Sequence, residues 1–206
     1  MRYDAVARNL EQLMAATADR ASYALGRLLN AEVRVSCCQL YHGDWREALT
    51  ESLQGRGALV TISQTAFGAE PVVVSIVIEE SRTRCMLDLL MGRHGASLLP
   101  FVDPVSQNGA RFDPLEIDAL KETANIVTGN CIAVLGRELG LTGCSLPSMA
   151  AEMPLADTVC SLLPRVGSMC VKSRLKASTH ALEVVLMISI AGPADSVAAG
   201  PAADRV

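Results

Sequence analysis

Half of the 206 residues are hydrophobic and 19% are charged, which suits one sizeable domain or two small halves sharing a core and argues against a disordered chain. A net charge of −4 with no basic patch makes nucleic acid a poor partner. No apolar run reaches the roughly 18–20 residues of a membrane span, and the opening MRYDAVARNLEQ has no apolar secretory stretch, so a cytoplasmic protein without a membrane partner is expected.

In chain order, an amphipathic helix is predicted over residues 6–29, then a strand over 33–40, a short helix over 45–53 and strands over 58–63 and 72–78. A further helix is predicted over 82–91, with Gly92 as its C-terminal stop. Residues 95–113 form a linker with two prolines and little periodicity. A second long helix follows at 114–139. Its start is well marked, with Asp113 as the N-cap acid and Pro114 at the first helical position. A strand at 143–150, a short helix at 156–163 and strands at 168–175 and 181–190 complete the pattern. In the last strand Leu182, Val184, Leu186, Ile188 and Ile190 point one way, as in a half-buried strand. The tail from residue 191 is small, polar and proline-containing, so disorder is expected there.

Seven cysteines is an odd count with no Cys-x-x-Cys pair, which fits reduced, buried thiols. His42, His94 and His180 have no metal-ligand spacing. There is no Gly-x-Gly-x-x-Gly loop, Walker lysine motif or Gly-x-Ser-x-Gly elbow, so a small-molecule enzyme has little support.

The chain also repeats itself. Leu25-Gly26-Arg27 returns as Leu135-Gly136-Arg137, 110 residues later. The same offset, taken without a gap, sets Leu53 on Leu163, Gly57 on Gly167, Val74 on Val184 and Ile78 on Ile188. Two copies of one α/β unit predict a pseudo-symmetric sheet with helices packed on it.

The second long helix carries the candidate site. At ~100° per residue, counted from Leu115, Ile117, Leu120, Ala124, Val127, Cys131 and Leu135 fall between about 120° and 200° and form the core stripe. Asp118, Glu122, Asn125 and Gly129 fall between about 280° and 340°, a narrow row away from that stripe. Gly129 and Gly136 remove bulk on that side, so another backbone can approach; close packing within the protein explains them equally well. The plain alternative for the row is a solvated helix face. In the first copy Gln12 stands at the place of Glu122, Ala15 at that of Asn125 and Asp19 at that of Gly129. If the row is a site, the chain has one and not two.

Asp118-x3-Glu122-x2-Asn125, followed after 21 residues by Pro147, resembles the signature of the CheC/CheX/FliY family of chemotaxis phosphatases. That pattern has Asp or Ser, then Glu, then Asn, then a proline about 22 residues on, one more than here. The segments LEIDALKETANIVTGN and GCSLPSM are also similar to the family's helix and following strand. The resemblance implies an α+β, CheC-like fold: a pseudo-two-fold duplicated α/β unit with a mixed or antiparallel sheet and long helices packed on one face. Residues 1–190 then form one domain of two pseudo-repeats, about 5–80 and 114–190, joined by the helix and linker at 81–113, with 191–206 a disordered tail.

For function, the resemblance implies hydrolysis of the aspartyl phosphate of a CheY-like receiver domain. Asn125 would orient the attacking water and Glu122 would contact the receiver's lysine. Asp118, Gly129 and Pro147 are expected on the partner-binding surface. Pro147 reads equally well as an ordinary edge or bulge proline. No cofactor is expected on this chain, magnesium belonging to the receiver, and a helper protein or self-association is a further expected partner. The alternative is a non-catalytic module of the same fold that binds a receiver or serves a flagellar switch.

Overall fold

A computed structural model of the chain describes residues 2–42, 59–69, 71–92, 112–153, 169–178 and 182–190. The short helices predicted at 45–53 and 156–163, most of the linker and the tail lie outside the described residues. The elements in order are α1 (Arg2–Leu29), β1 (Val33–His42), β2 (Leu59–Phe67), β3 (Val72–Glu79), α2 (Glu80–Leu90), α3 (Pro114–Leu139), β4 (Gly143–Cys144), β5 (Ser148–Met153), β6 (Met169–Ala177) and β7 (Glu183–Ile190).

The seven strands form one sheet in the order β1-β6-β7-β3-β2-β4, with β5 also on β2. Every pairing among the described residues is antiparallel, so the mixed sheet admitted by the sequence resolves to its antiparallel form. The order reads alike from both ends. β3 and β7, the last strands of the two halves, meet at the centre, with Ile76 opposite Leu186. Outside them, the first strand of each half pairs with the second strand of the other: β1 with β6, and β4 and β5 with β2.

The helices pack on one face of the sheet. α1 lays Met14, Ala18, Ala21, Leu25 and Leu29 on that face, a run at helical spacing. α3 lays down Leu120, Ala124, Val127, Cys131 and Leu135, with Ile117 half-buried beside them. These are the residues of its predicted stripe. The apolar side of α1 and α3 is thereby consumed by the core, and the polar row of α3 lies outside it.

Both long helices end in the same way. The Ala31 N–H bonds to the Gly26 carbonyl at 3.0 Å and the Leu141 N–H to the Gly136 carbonyl at 3.2 Å, with Asn30 and Gly140 left-handed between them, a Schellman-type stop. A Cβ on Gly26 would stand 2.8 Å from the Ala31 carbonyl oxygen, which accounts for the glycine in the first copy of the triplet. α3 starts as predicted. Asp113 Oδ1 accepts from the Glu116 N–H at 2.8 Å, and Glu116 Oε2 accepts from the Asp113 N–H at 3.1 Å, a closed capping box. Glu116 is buried and takes both oxygens to Arg84 of α2 at 2.7 Å, while the Arg84 guanidinium lies over the Phe112 ring. α2 stops at Leu90, and Gly92 follows with positive φ.

Four sequence expectations change. β7 is buried on both faces rather than half-buried, because an apolar cluster lies on each side of it. Leu182, Val184, Leu186, Ile188 and Ile190 meet the helices, and Val185 and Met187 join Leu59, Val73, Val77 and Cys170 in a second cluster. The strand predicted over 143–150 is two strands, broken at Ser145, Leu146 and Pro147. The gapless offset also fails: Val60, Ile62 and Ala66 of β2 face the helices, as do Val171, Leu175 and Ala177 of β6, and these sets are one residue out of step. The cause is the turn after β2, which is one residue longer. Ala66 pairs with Val72 across it, whereas the Ala177 N–H meets the Leu182 carbonyl. Two thiols also depart from the buried reading, since Cys38 and Cys144 are exposed.

Candidate functional site

The polar row lies where helical geometry sets it. Asp118, Glu122 and Asn125 are exposed on α3 and Gly129 is half-buried. Glu122 and Asn125 are three residues apart, which makes them neighbours on one helix face. A Cβ built on Gly129 meets nothing within 4 Å. Internal packing among the described residues therefore does not explain this glycine. A Cβ on Gly136 would make only ordinary contact with Leu141, at 3.8 Å, so packing among the described residues does not demand that glycine either.

Beneath the row stands a residue that the sequence reading missed. Gln64 is on the helix-facing side of β2, where its neighbours Val60, Ile62 and Ala66 are apolar, and it is only 3% exposed. An amide in that setting must find partners, and it does. Its Nε2 donates to the Ser145 carbonyl at 2.7 Å and to Asn125 Oδ1 at 3.4 Å, and lies 3.4 Å from Cys144 Sγ. The Thr128 hydroxyl, one turn on from Asn125 and also against the Ala124 carbonyl, donates to Gln64 Oε1. One side chain thus ties β2, α3 and the break between β4 and β5.

The break follows from the same contacts. Ser145 remains bound to β2, its N–H donating to the Thr65 carbonyl at 2.8 Å and its hydroxyl accepting from the Thr65 N–H at 3.0 Å. Its own carbonyl turns to Gln64 instead of the ladder. Pro147 has no N–H to offer a neighbour, and pairing resumes at Ser148 opposite Ser63. Between them Leu146 is 87% exposed. Pro147 therefore borders the site through Ser145 and Gln64, and an apolar side chain projects beside the polar row. Leu115, 63% exposed, stands at the start of the same helix.

Asn125 is exposed, and its Oδ1 is the atom turned toward Gln64. Among the described residues the Asn125 amide nitrogen has no partner, so it can donate to a water. Glu122 adds an exposed carboxylate, suited to a cation on a partner. No group of His, Cys, Asp and Glu among the described residues is arranged to hold a metal. Cys131, on the core stripe, is held protonated by burial, which pushes its thiol up to about 12. It is no nucleophile.

No family model matches the sequence, and no curated protein does either. Solved structures do resemble it. FliY of Thermotoga maritima superposes with a TM-score of 0.61 at 15% identity, over 88% of this chain and 87% of that one. A CheC-like superfamily protein of Shewanella sp. PV-4 gives 0.58 at 13% identity, over 87% and 97%. The FliM middle domain of H. pylori gives 0.57 at 11% identity, over 89% and 90%. The chain is an α+β protein with the fold of the CheC-like proteins. It carries on its second long helix an exposed glutamate and asparagine, the latter braced from the sheet.

Proposed function

We propose that the protein is a cytoplasmic phosphatase of a phosphorylated receiver domain, a CheY-like response regulator of chemotaxis or a related two-component pathway. One observation carries this reading. Glu122 and Asn125 are exposed side by side on a helix face away from the core stripe, and the Asn125 oxygen lies 3.4 Å from the buried Gln64 amide. Acyl-phosphate hydrolysis asks for positioning and charge management more than covalent help. Docked on the receiver, Asn125 holds a water in line with the aspartyl phosphate. The water oxygen bonds to phosphorus, the bond to the aspartyl carboxylate breaks, and inorganic phosphate leaves. Glu122 pairs with the receiver's lysine. Asp118, Gly129 and Pro147 line the docking surface, and the receiver brings its own magnesium.

The test is the rate of phosphate loss from phosphorylated receiver domains, with and without the protein, in magnesium. Acceleration on one receiver, reduced at least about a hundredfold in Asn125→Ala with the fold retained, is the expected result. The similarity to the FliM middle domain favours a second reading, a non-catalytic receiver-binding or switch module. Binding without faster phosphate loss, equal in the wild type and Asn125→Ala, selects that reading.

A further inference from the structure

Gln64 is a buried amide in an apolar strand face, and it is present only in the half that carries the polar row. Counted from the two hairpin turns, its counterpart on β6 is Leu175, buried and facing the helices. Counted from the matching helix ends, the counterparts of Asn125 and Thr128 on α1 are Ala15 and Ala18. The hydrogen-bonded set Gln64, Thr128 and Asn125 therefore faces an apolar set, Leu175, Ala18 and Ala15, in the other half. There β1 stays one strand, pairing with β6 along its length with a register shift between Val35 and Cys37. The fold closes that end of the sheet with leucine, not glutamine, at the matching place.

The geometry points to Gln64 as the positioning residue of the site: it fixes the orientation of the Asn125 amide and holds the Ser145–Pro147 break against it. This rests on the phosphatase reading for its effect on rate, though not for its effect on Asn125. The direction of the Gln64 amide is set by its partners. Ser145 offers a carbonyl and needs a donor, so Nε2 faces the break and Oε1 faces Thr128. The second hydrogen of Nε2 is the one that reaches Asn125 Oδ1. Without it, the exposed Asn125 side chain rotates freely, its oxygen and nitrogen exchange places, and a water held by the amide loses its alignment. Gln64 touches neither water nor phosphate, so it acts on the rate and not on docking.

The experiment uses the full chain. Gln64→Leu copies the residue of the other half, and Gln64→Met keeps the volume should leucine fail to fold. Phosphate loss is measured over a range of receiver concentrations. The expected result is a fall in kcat of between about tenfold and about a hundredfold with KM unchanged. A kcat like the wild type's, or a loss confined to KM, overturns the inference. The second readout is the Asn125 side-chain amide pair in the NMR spectrum, assigned by its absence in Asn125→Ala. In the wild type it is expected away from the positions of free asparagine amides, and in Gln64→Leu or Gln64→Met it is expected to move onto them. An unmoved pair overturns the inference whatever the activity. A wild type that accelerates no receiver removes the phosphatase reading alone, and the amide signal then decides on Gln64.

Discussion

Gly129→Ala is expected to make the protein more stable and a poorer partner at once. Within a helix alanine is preferred to glycine by about 1 kcal/mol. A Cβ at 129 meets nothing within 4 Å, so no overpacking among the described residues offsets that gain. In a chain of this size about 1 kcal/mol raises the melting temperature by about 2–4 °C. The new methyl stands on the row with Glu122 and Asn125, where a docked receiver would meet it. KM for the receiver is expected to rise while kcat at saturation is kept. The measurement is urea unfolding, read for a higher midpoint at unchanged slope, paired with phosphate loss at varied receiver concentration. Gly26→Ala is the matched opposite. Its Cβ would sit 2.8 Å from a backbone oxygen, and overpacking of about 1–3 kcal/mol outweighs the propensity gain. Loss of stability in Gly129→Ala, or like behaviour of the two variants, would refute the reasoning. The first would mean that a neighbour occupies the space the helix leaves open, and stabilisation of both would mean that the Ala31 carbonyl gives way to a Cβ on Gly26.

Arg84→Met leaves the buried Glu116 carboxylate without the guanidinium that meets both its oxygens, and is expected to cost about 3 kcal/mol in chemical denaturation. Adding Glu116→Gln, which can still accept from the Asp113 N–H, should recover part of that loss, and additive costs would exclude the coupling. Stability should also fall in alkali. Burial raises the Cys131 and Cys170 thiols from their ordinary 9.0 to about 12. The folded chain thus holds these protons where the unfolded chain releases them. Their contribution is complete below pH 9.0 and is lost as pH rises toward about 12. Unfolding midpoints across that window should decline, and Cys131→Ala should flatten the decline; a flat wild-type profile would refute the assignment.

The start of α3, its core stripe and its polar row are legible in the sequence because each depends on spacing along one helix. Asp113, Pro114 and Glu116 are consecutive signals, and the row needs only the helical angle. β7 misleads because Glu183 and Ser189 give its ends an alternating look, while Val185 and Met187 in between are apolar and their face is covered. The broken strand at 143–150 and the role of Gln64 depend on one long-range meeting, between a β2 side chain and the Ser145 carbonyl. The only trace of it in the chain is a glutamine interrupting the helix-facing set Val60, Ile62 and Ala66. A polar residue in such a set asks for a partner without naming it.

The crossed pairing of the strands has a consequence for biosynthesis and for the history of the chain. During translation β1 has no mate among the described strands until β6 leaves the ribosome, so the nascent chain must hold an open strand edge until the second half is made. Neither half can be excised and kept, since each carries a strand that belongs beside the other. The dependence reaches the chemistry. Asn125 and Ser145 come from the second half, but the amide that joins them comes from the first. The half with alanine at the place of Asn125 thus contributes, through Gln64, a contact to the half that carries the asparagine.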